Sequence, residues 1–136
     1  MDNVAFSDLV RGDLDGRIHA LGERGDVAEL LAGMDVVVNT SDFEGLSNAL
    51  LEAMACGVAC VATDIPANAE ALGDAGVLAP TGDVDTIGQT VAGLLEDDAQ
   101  RAHLATAGRA RVCERYPAEG WLATYEDLIA RVRGAS

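Results

Sequence analysis

A chain of 136 residues suits one domain, and an apolar share of 49% is ample for a core. Nine arginines and no lysine face 23 acidic side chains, for a formal net charge of −14. So acidic a surface repels nucleic acid and anionic membrane, which argues against both as partners.

Residues 7–14 read as a short helix with Leu9 and Leu14 on its apolar side, and Arg17 to Leu21 as a short strand ended by Gly22. Asp26 is a good N-cap for a helix running through Met34, with Val27, Leu30, Leu31 and Met34 as one apolar stripe. Asp35 to Asn39 reads as strand, Ser47 to Cys56 as helix and Val58 to Thr63 as strand. Pro66 breaks the chain, a helical turn covers Asn68 to Leu72, and Gly76 to Ala79 is the last strand. Continuously apolar strands separated by helices predict a parallel sheet covered on both faces.

The remainder is helical. Asp83 caps a helix whose Val84, Ile87, Val91, Leu94 and Leu95 share a face, and Asp98 to about Arg115 forms a longer, arginine-rich helix. Pro117 stands where a proline opens a helix, with Trp121, Leu122, Tyr125, Leu128, Ile129 and Val132 as its stripe. No linker or repeat interrupts this order. The expectation is a single domain over 1–136, α/β in front and α behind.

Cys56, Cys60 and Cys113 are odd in number and lack C-x-x-C spacing, which predicts buried thiols in a reducing compartment. His19 and His103 lie far from them and from each other in sequence, so no metal site is expected. No charged-then-apolar leader opens the chain, and no apolar run approaches about eighteen residues, which predicts a cytoplasmic protein without a membrane span. The dense carboxylates serve either solubility or hydration in a salt-rich cytoplasm.

The stretch Ser41 to Gly57, S-D-F-E-G-L-S-N-A-L-L-E-A-M-A-C-G, concentrates the chemistry. A helix opening just after a parallel strand turns its free N–H groups and positive dipole end toward the carboxyl edge of the sheet, where anions bind. Glu44 sits in that turn, either as a ligand contact or as an exposed acid complementing the dipole. Gly45 lets a ligand approach the backbone or simply makes the turn. Ser47 and Asn48 look like N-cap residues, yet a capping turn and a phosphate cradle use the same N–H groups. Glu52 follows Glu44 by eight positions; a continuous helix would set them about eighty degrees apart, whereas a loop before Ser47 lets both face one cleft. A glutamate among Leu50, Leu51, Ala53 and Met54 is costly to bury unpaired, and a carboxylate there suits the two hydroxyls of a ribose. Glu70, after Pro66, is a weaker candidate. No G-x-G-x-x-G, Walker loop or G-x-S-x-G is present. The residues themselves reach as far as a nucleotide-type ligand site at a sheet edge.

The same block closely resembles the E-x₇-E signature of retaining glycosyltransferases of family 4, the glycosyl transferases group 1 enzymes of GT-B architecture. Flanking residues extend the likeness over about residues 17–132: Ile18 to Gly22 followed by Gly25-Asp26-Val27 and Leu30-Leu31, Asp35 to Val38, Val61-Ala62-Thr63 through Glu70, and Gly76 to Pro80 with Gly82-Asp83. The resemblance implies the C-terminal half of a GT-B fold lacking its first strands. Residues 17–116 would form the nucleotide-sugar-binding part and 117–133 a C-terminal helix. Glu44 would then contact the donor sugar, the amides of Gly45, Leu46, Ser47 and Asn48 would lie by sugar and diphosphate, and Glu52 would hold the ribose. The donor would be a nucleotide-diphosphate sugar, with no tightly bound metal and no cofactor.

Family members are two to three times longer. The resemblance therefore implies that the N-terminal acceptor domain is missing, together with the strands that bring an arginine and a lysine onto the diphosphate. Those strands would lie between Arg17–Leu21 and Val36–Asn39, leaving an edge that invites pairing. The leading expectation is a donor-binding fragment that is inactive alone. A non-catalytic half that docks onto a separate N-terminal subunit is the alternative, and a sugar-nucleotide epimerase fragment ranks last.

Overall fold

The computed structural model describes residues 16–117. Its strands β1 (Val36–Asn39), β2 (Ala59–Thr63) and β3 (Val77–Ala79) form a parallel sheet in the order β1-β2-β3. Val36 pairs with Ala59 and Val61 with Val77, so the carboxyl ends of β1 and β2 finish together at Asn39 and Ala62. Five helices surround them: α1 (Val27–Ala32), α2 (Asn48–Ala55), α3 (Pro66–Leu72), α4 (Val84–Glu96) and α5 (Asp98–Arg115). This is the Rossmann-like α/β arrangement that the apolar strands predict.

Every residue of β2 is buried, and its period-two alternation divides the core. Cys60 and Ala62 face Leu50, Ala53 and Met54 of α2, with Leu31 and Leu72 beside them. Ala59 and Val61 face Leu94 of α4 and Leu104 of α5. Gly57 ends α2 at φ +75°, a conformation that costs a side-chain-bearing residue about 1–2 kcal/mol. Its N–H reaches the Met54 carbonyl at 3.0 Å, and that of Val58 reaches Ala53, which turns the chain directly into β2. On α5, Gly108 lies so close to α2 that a Cβ there would stand 3.4 Å from Met54 Cγ.

Two arginines of α5 terminate other helices. Arg101 Nη1 donates to the carbonyls of Leu94 (2.6 Å) and Leu95 (2.7 Å) at the end of α4. Arg111 donates to Ala71 (2.8 Å) and Glu70 (2.6 Å) at the end of α3. Cations at these carbonyls also complement the negative helix ends.

Several expectations change. Arg17 to Leu21 forms no strand; these residues are exposed, and β1 has β2 as its sole strand partner among the described residues. Helix α1 stops at Ala32, leaving Val27 and Met34 exposed and Leu31 as its buried residue. Asp26 makes no side-chain cap; its carboxylate is taken by the Arg24 guanidinium at 2.7 and 2.5 Å. Val84 and Leu95 of α4 are likewise exposed, while Leu94 carries the contact with the sheet. Asp83 does cap α4, accepting from the Thr86 N–H at 3.0 Å. Cys60 is buried, but Cys56 is half-buried and Cys113 exposed, all three as free thiols. The helices expected over 7–14 and after Pro117 lie outside the described residues.

Candidate functional site

The loop from β1 to α2 is built on Asn39, the polar residue that ends an apolar strand. Its amide nitrogen donates to Glu44 Oε1 and to Ser47 Oγ, each at 3.0 Å, and its oxygen accepts from the Ser41 N–H at 3.0 Å. Ser41 Oγ adds a 2.5 Å bond to Glu44 Oε1. The carboxylate is thus half-buried with one oxygen engaged twice. The Ser41 hydroxyl first, then the Asn39 amide and the Ser47 hydroxyl, hold Glu44 below its ordinary pKa by stabilising the charged form.

Gly45, Leu46 and Ser47 follow in the turn. Among the described residues their N–H groups make no hydrogen bond, whereas that of Asn48 is engaged by the Leu46 carbonyl at 3.1 Å. Ser47 is the N-cap by position and is buried, yet its side chain makes no cap bond because Asn39 draws on it instead. The helix begins at Asn48, not at Ser47. Open N–H groups and a positive dipole end beside a glycine-bearing turn have the chemistry that suits an anion.

Glu52 is exposed, not buried among its apolar neighbours. Helical periodicity turns Leu50, Ala53 and Met54 inward and Asn48 and Glu52, four apart, outward along one face. There Glu52 lines a cavity of about 370 Å³ between α1 and α2, with Val27, Ala28, Leu31 and Cys56 among its walls. The loop therefore gathers Glu44, Gly45, Leu46, Ser47 and Asn48, while Glu52 stands one helical turn beyond them. Glu70 belongs to helix α3 rather than to a loop, exposed, with its carbonyl serving Arg111.

Asn39, Thr63 and Asn68 had no functional reading from sequence. Each is a polar residue at or just past the carboxyl end of an apolar strand, the edge where open α/β sheets bind ligands, and that position is the signal for them. Asn68 and Thr63 are buried behind the loop.

Known proteins resemble this chain in sequence and fold. Residues 2–97 match the family described as glycosyl transferases group 1. The chain is 33% identical over 117 residues to the N-acetyl-alpha-D-glucosaminyl L-malate synthase of Bacillus anthracis, covering 85% of this chain and 31% of that protein. It is 37% identical over 108 residues to the O-antigen chain mannosyltransferase B of Escherichia coli, covering 78% of this chain and 28% of the other. A crystal structure of Anabaena HepE in complex with UDP superposes with a TM-score of 0.77 and 26% identity, over 96% of this chain and 35% of that one. The chain thus spans about a third of the length of the relatives it matches. With more than half its residues inside the matched region, the chain belongs to the glycosyl transferases group 1 family.

Proposed function

We propose that this chain is the donor-binding part of a retaining glycosyltransferase of family 4, which moves a sugar from a nucleotide-diphosphate donor to an acceptor. The carrying observation is Glu44, held half-buried with Oε1 engaged, beside the unengaged amides of Gly45, Leu46 and Ser47 at the carboxyl edge of a parallel sheet. Family membership and the UDP in the HepE structure support the same reading. Glu44 contacts the donor sugar. The amides of Gly45, Leu46 and Ser47, with Asn48 at the helix start, face sugar and diphosphate. Glu52, exposed on the face of α2 that also carries Asn48, takes the ribose hydroxyls. Neither a tightly bound metal nor a cofactor has a role in this scheme. Residues 17–116 form the nucleotide-sugar-binding part of one partial domain, in a cytoplasmic enzyme.

No lysine is available to meet a diphosphate, so the chain by itself binds donor weakly and transfers no sugar. In the enzyme that contains it, Glu52→Ala abolishes binding of UDP or a UDP-sugar by calorimetry. Unchanged affinity would remove Glu52 from the site, and sugar transfer by the 136-residue chain alone would refute its inactivity.

One observation favours a second reading, a non-catalytic half that docks onto a separate N-terminal subunit. β1 has a free edge among the described residues, with Val38 exposed on it. Co-purification of a stoichiometric partner from the native host distinguishes the two. An epimerase fragment ranks below both, since the E-x₇-E block with A-M-A-C-G behind it suits a transferase.

A further inference from the structure

We infer that Thr63 and Asn68, on the neighbouring strand and helix, are positioning residues for Glu44, joined to it through Ser41 by a buried strut of hydrogen bonds. The strut begins at Asn68, fully buried in the first turns of α3. Its Nδ2 donates to the Thr63 carbonyl at 2.9 Å and to Thr63 Oγ1 at 3.1 Å. A hydroxyl has one proton, and with Asn68 donating to its oxygen that proton is free to point elsewhere. It goes to the Ser41 carbonyl. Ser41 is therefore held at both ends, its carbonyl by Thr63 and its N–H by the Asn39 oxygen, and its own hydroxyl is left to bind Glu44 Oε1.

The strut carries a cost that explains it. Asn68 Oδ1 is buried without a hydrogen-bond partner. A buried acceptor without a donor opposes folding, a penalty that an apolar side chain at this position would not carry. Turning the amide over would set its oxygen against the Thr63 carbonyl, so the orientation follows from the strut itself. The amide is thus poorly explained by core packing and well explained by what its nitrogen holds. The result is an oriented carboxylate. The Ser41 and Asn39 bonds both fall on Oε1, which leaves Oε2 as the oxygen that neither of them engages.

The meaning for donor recognition rests on the function proposed above, but the strut can be tested without any donor. Carbon-13 NMR follows the Glu44 carboxyl through an acid titration in the 136-residue chain, in wild type, Thr63→Val, Asn68→Leu and Ser41→Ala. Ser41→Ala sets the scale by removing the direct hydroxyl contact. Thr63→Val and Asn68→Leu are expected to move the Glu44 midpoint upward in the same direction, whatever the larger leucine does to the melting temperature in a fully buried site. A structural role alone would lower the melting temperature and leave Glu44 unmoved. Should Asn68→Leu fail to fold, Thr63→Val, which keeps the shape and loses only the hydroxyl, decides the matter. A Glu44 midpoint that moves in Ser41→Ala but in neither of the others overturns the strut. A chain that titrates as expected yet shows no contact with UDP by saturation-transfer NMR would retain the strut and count against the proposed function instead.

Discussion

Substituting Gly73 by alanine should be costly, because two penalties meet there. Gly73 follows α3 with φ +52° and ψ −128°, a backbone conformation that residues with a Cβ adopt at about 1–3 kcal/mol. A Cβ built on it would stand 2.6 Å from Arg111 Cζ and 2.6 Å from Nη1, well inside contact distance. The guanidinium must then withdraw from the Ala71 and Glu70 carbonyls it caps at 2.8 and 2.6 Å. Loss of that half-exposed pair of bonds adds about 1–1.5 kcal/mol. The total is about 2–4 kcal/mol. For a chain of 136 residues each kcal/mol lowers the melting temperature by about 3–5 °C, so a fall of about 6–20 °C is expected. Thermal unfolding by circular dichroism measures it, and a double-mutant cycle with Arg111→Ala separates the two penalties. With Arg111 already removed, Gly73→Ala should retain only the backbone cost, giving a coupling of about 1 kcal/mol. Strict additivity would mean that the guanidinium does not lie over Gly73, and the reasoning would fail.

Acid should destabilise the fold through Glu44 and Asp83. Both are held below the ordinary carboxylate range, Glu44 by Ser41, Asn39 and Ser47, and Asp83 by Thr86. A depressed native pKa contributes stability above the unfolded value, about 4, which is lost as pH falls through the native values. Urea midpoints should thus be level from neutral pH to about 5 and drop below about 4; Asp83→Asn with an unchanged acid limb would remove Asp83 from that account. Burial pushes the Cys60 thiol up to about 12, so Ellman's reagent at pH 8 should modify exposed Cys113 quickly and Cys60 only on unfolding. Fast labelling of Cys60 in the folded chain would contradict its place in the sheet. A net charge of −14 with few cations predicts that the melting temperature rises as KCl is raised to molar levels; a fall would dismiss the salt-adapted reading of the surface.

Strand and helix order was legible because the signals are local. Val36 to Val38 and Val58 to Val61 are continuous apolar runs, Gly57 separates helix from strand, and Asp83 has Thr86 three residues on to cap. Expectations that leaned on a neighbour in space fared differently. Ile18 and Leu21 belong to an apolar-looking stretch, but a strand forms by pairing in space, and this stretch lies exposed at 54% and 47% outside the β1-β2-β3 sheet. Asp26 has a capping residue's chemistry, yet Arg24 competes for the same carboxylate oxygens.

The site divides in the same way. Glu44, Gly45, Ser47, Asn48 and Glu52 could be singled out as candidates in sequence because they lie on one turn and its following helix, and the family resemblance added Leu46. That Glu52 is exposed, with only Leu50, Ala53 and Met54 turned inward, depended on how α2 rolls against β2 and α5. The support for Glu44 could not be read along the chain at all. Asn68 is 24 positions away from it, and its amide matters only because β1 and β2 run parallel in register and end side by side. Sequence alone determined the elements, the acidic surface and the glutamate-bearing turn, since each follows from residues close together in the chain. Tertiary structure decided which carboxylate is held and by what, because a hydrogen bond depends on positions in space that only the packed sheet supplies.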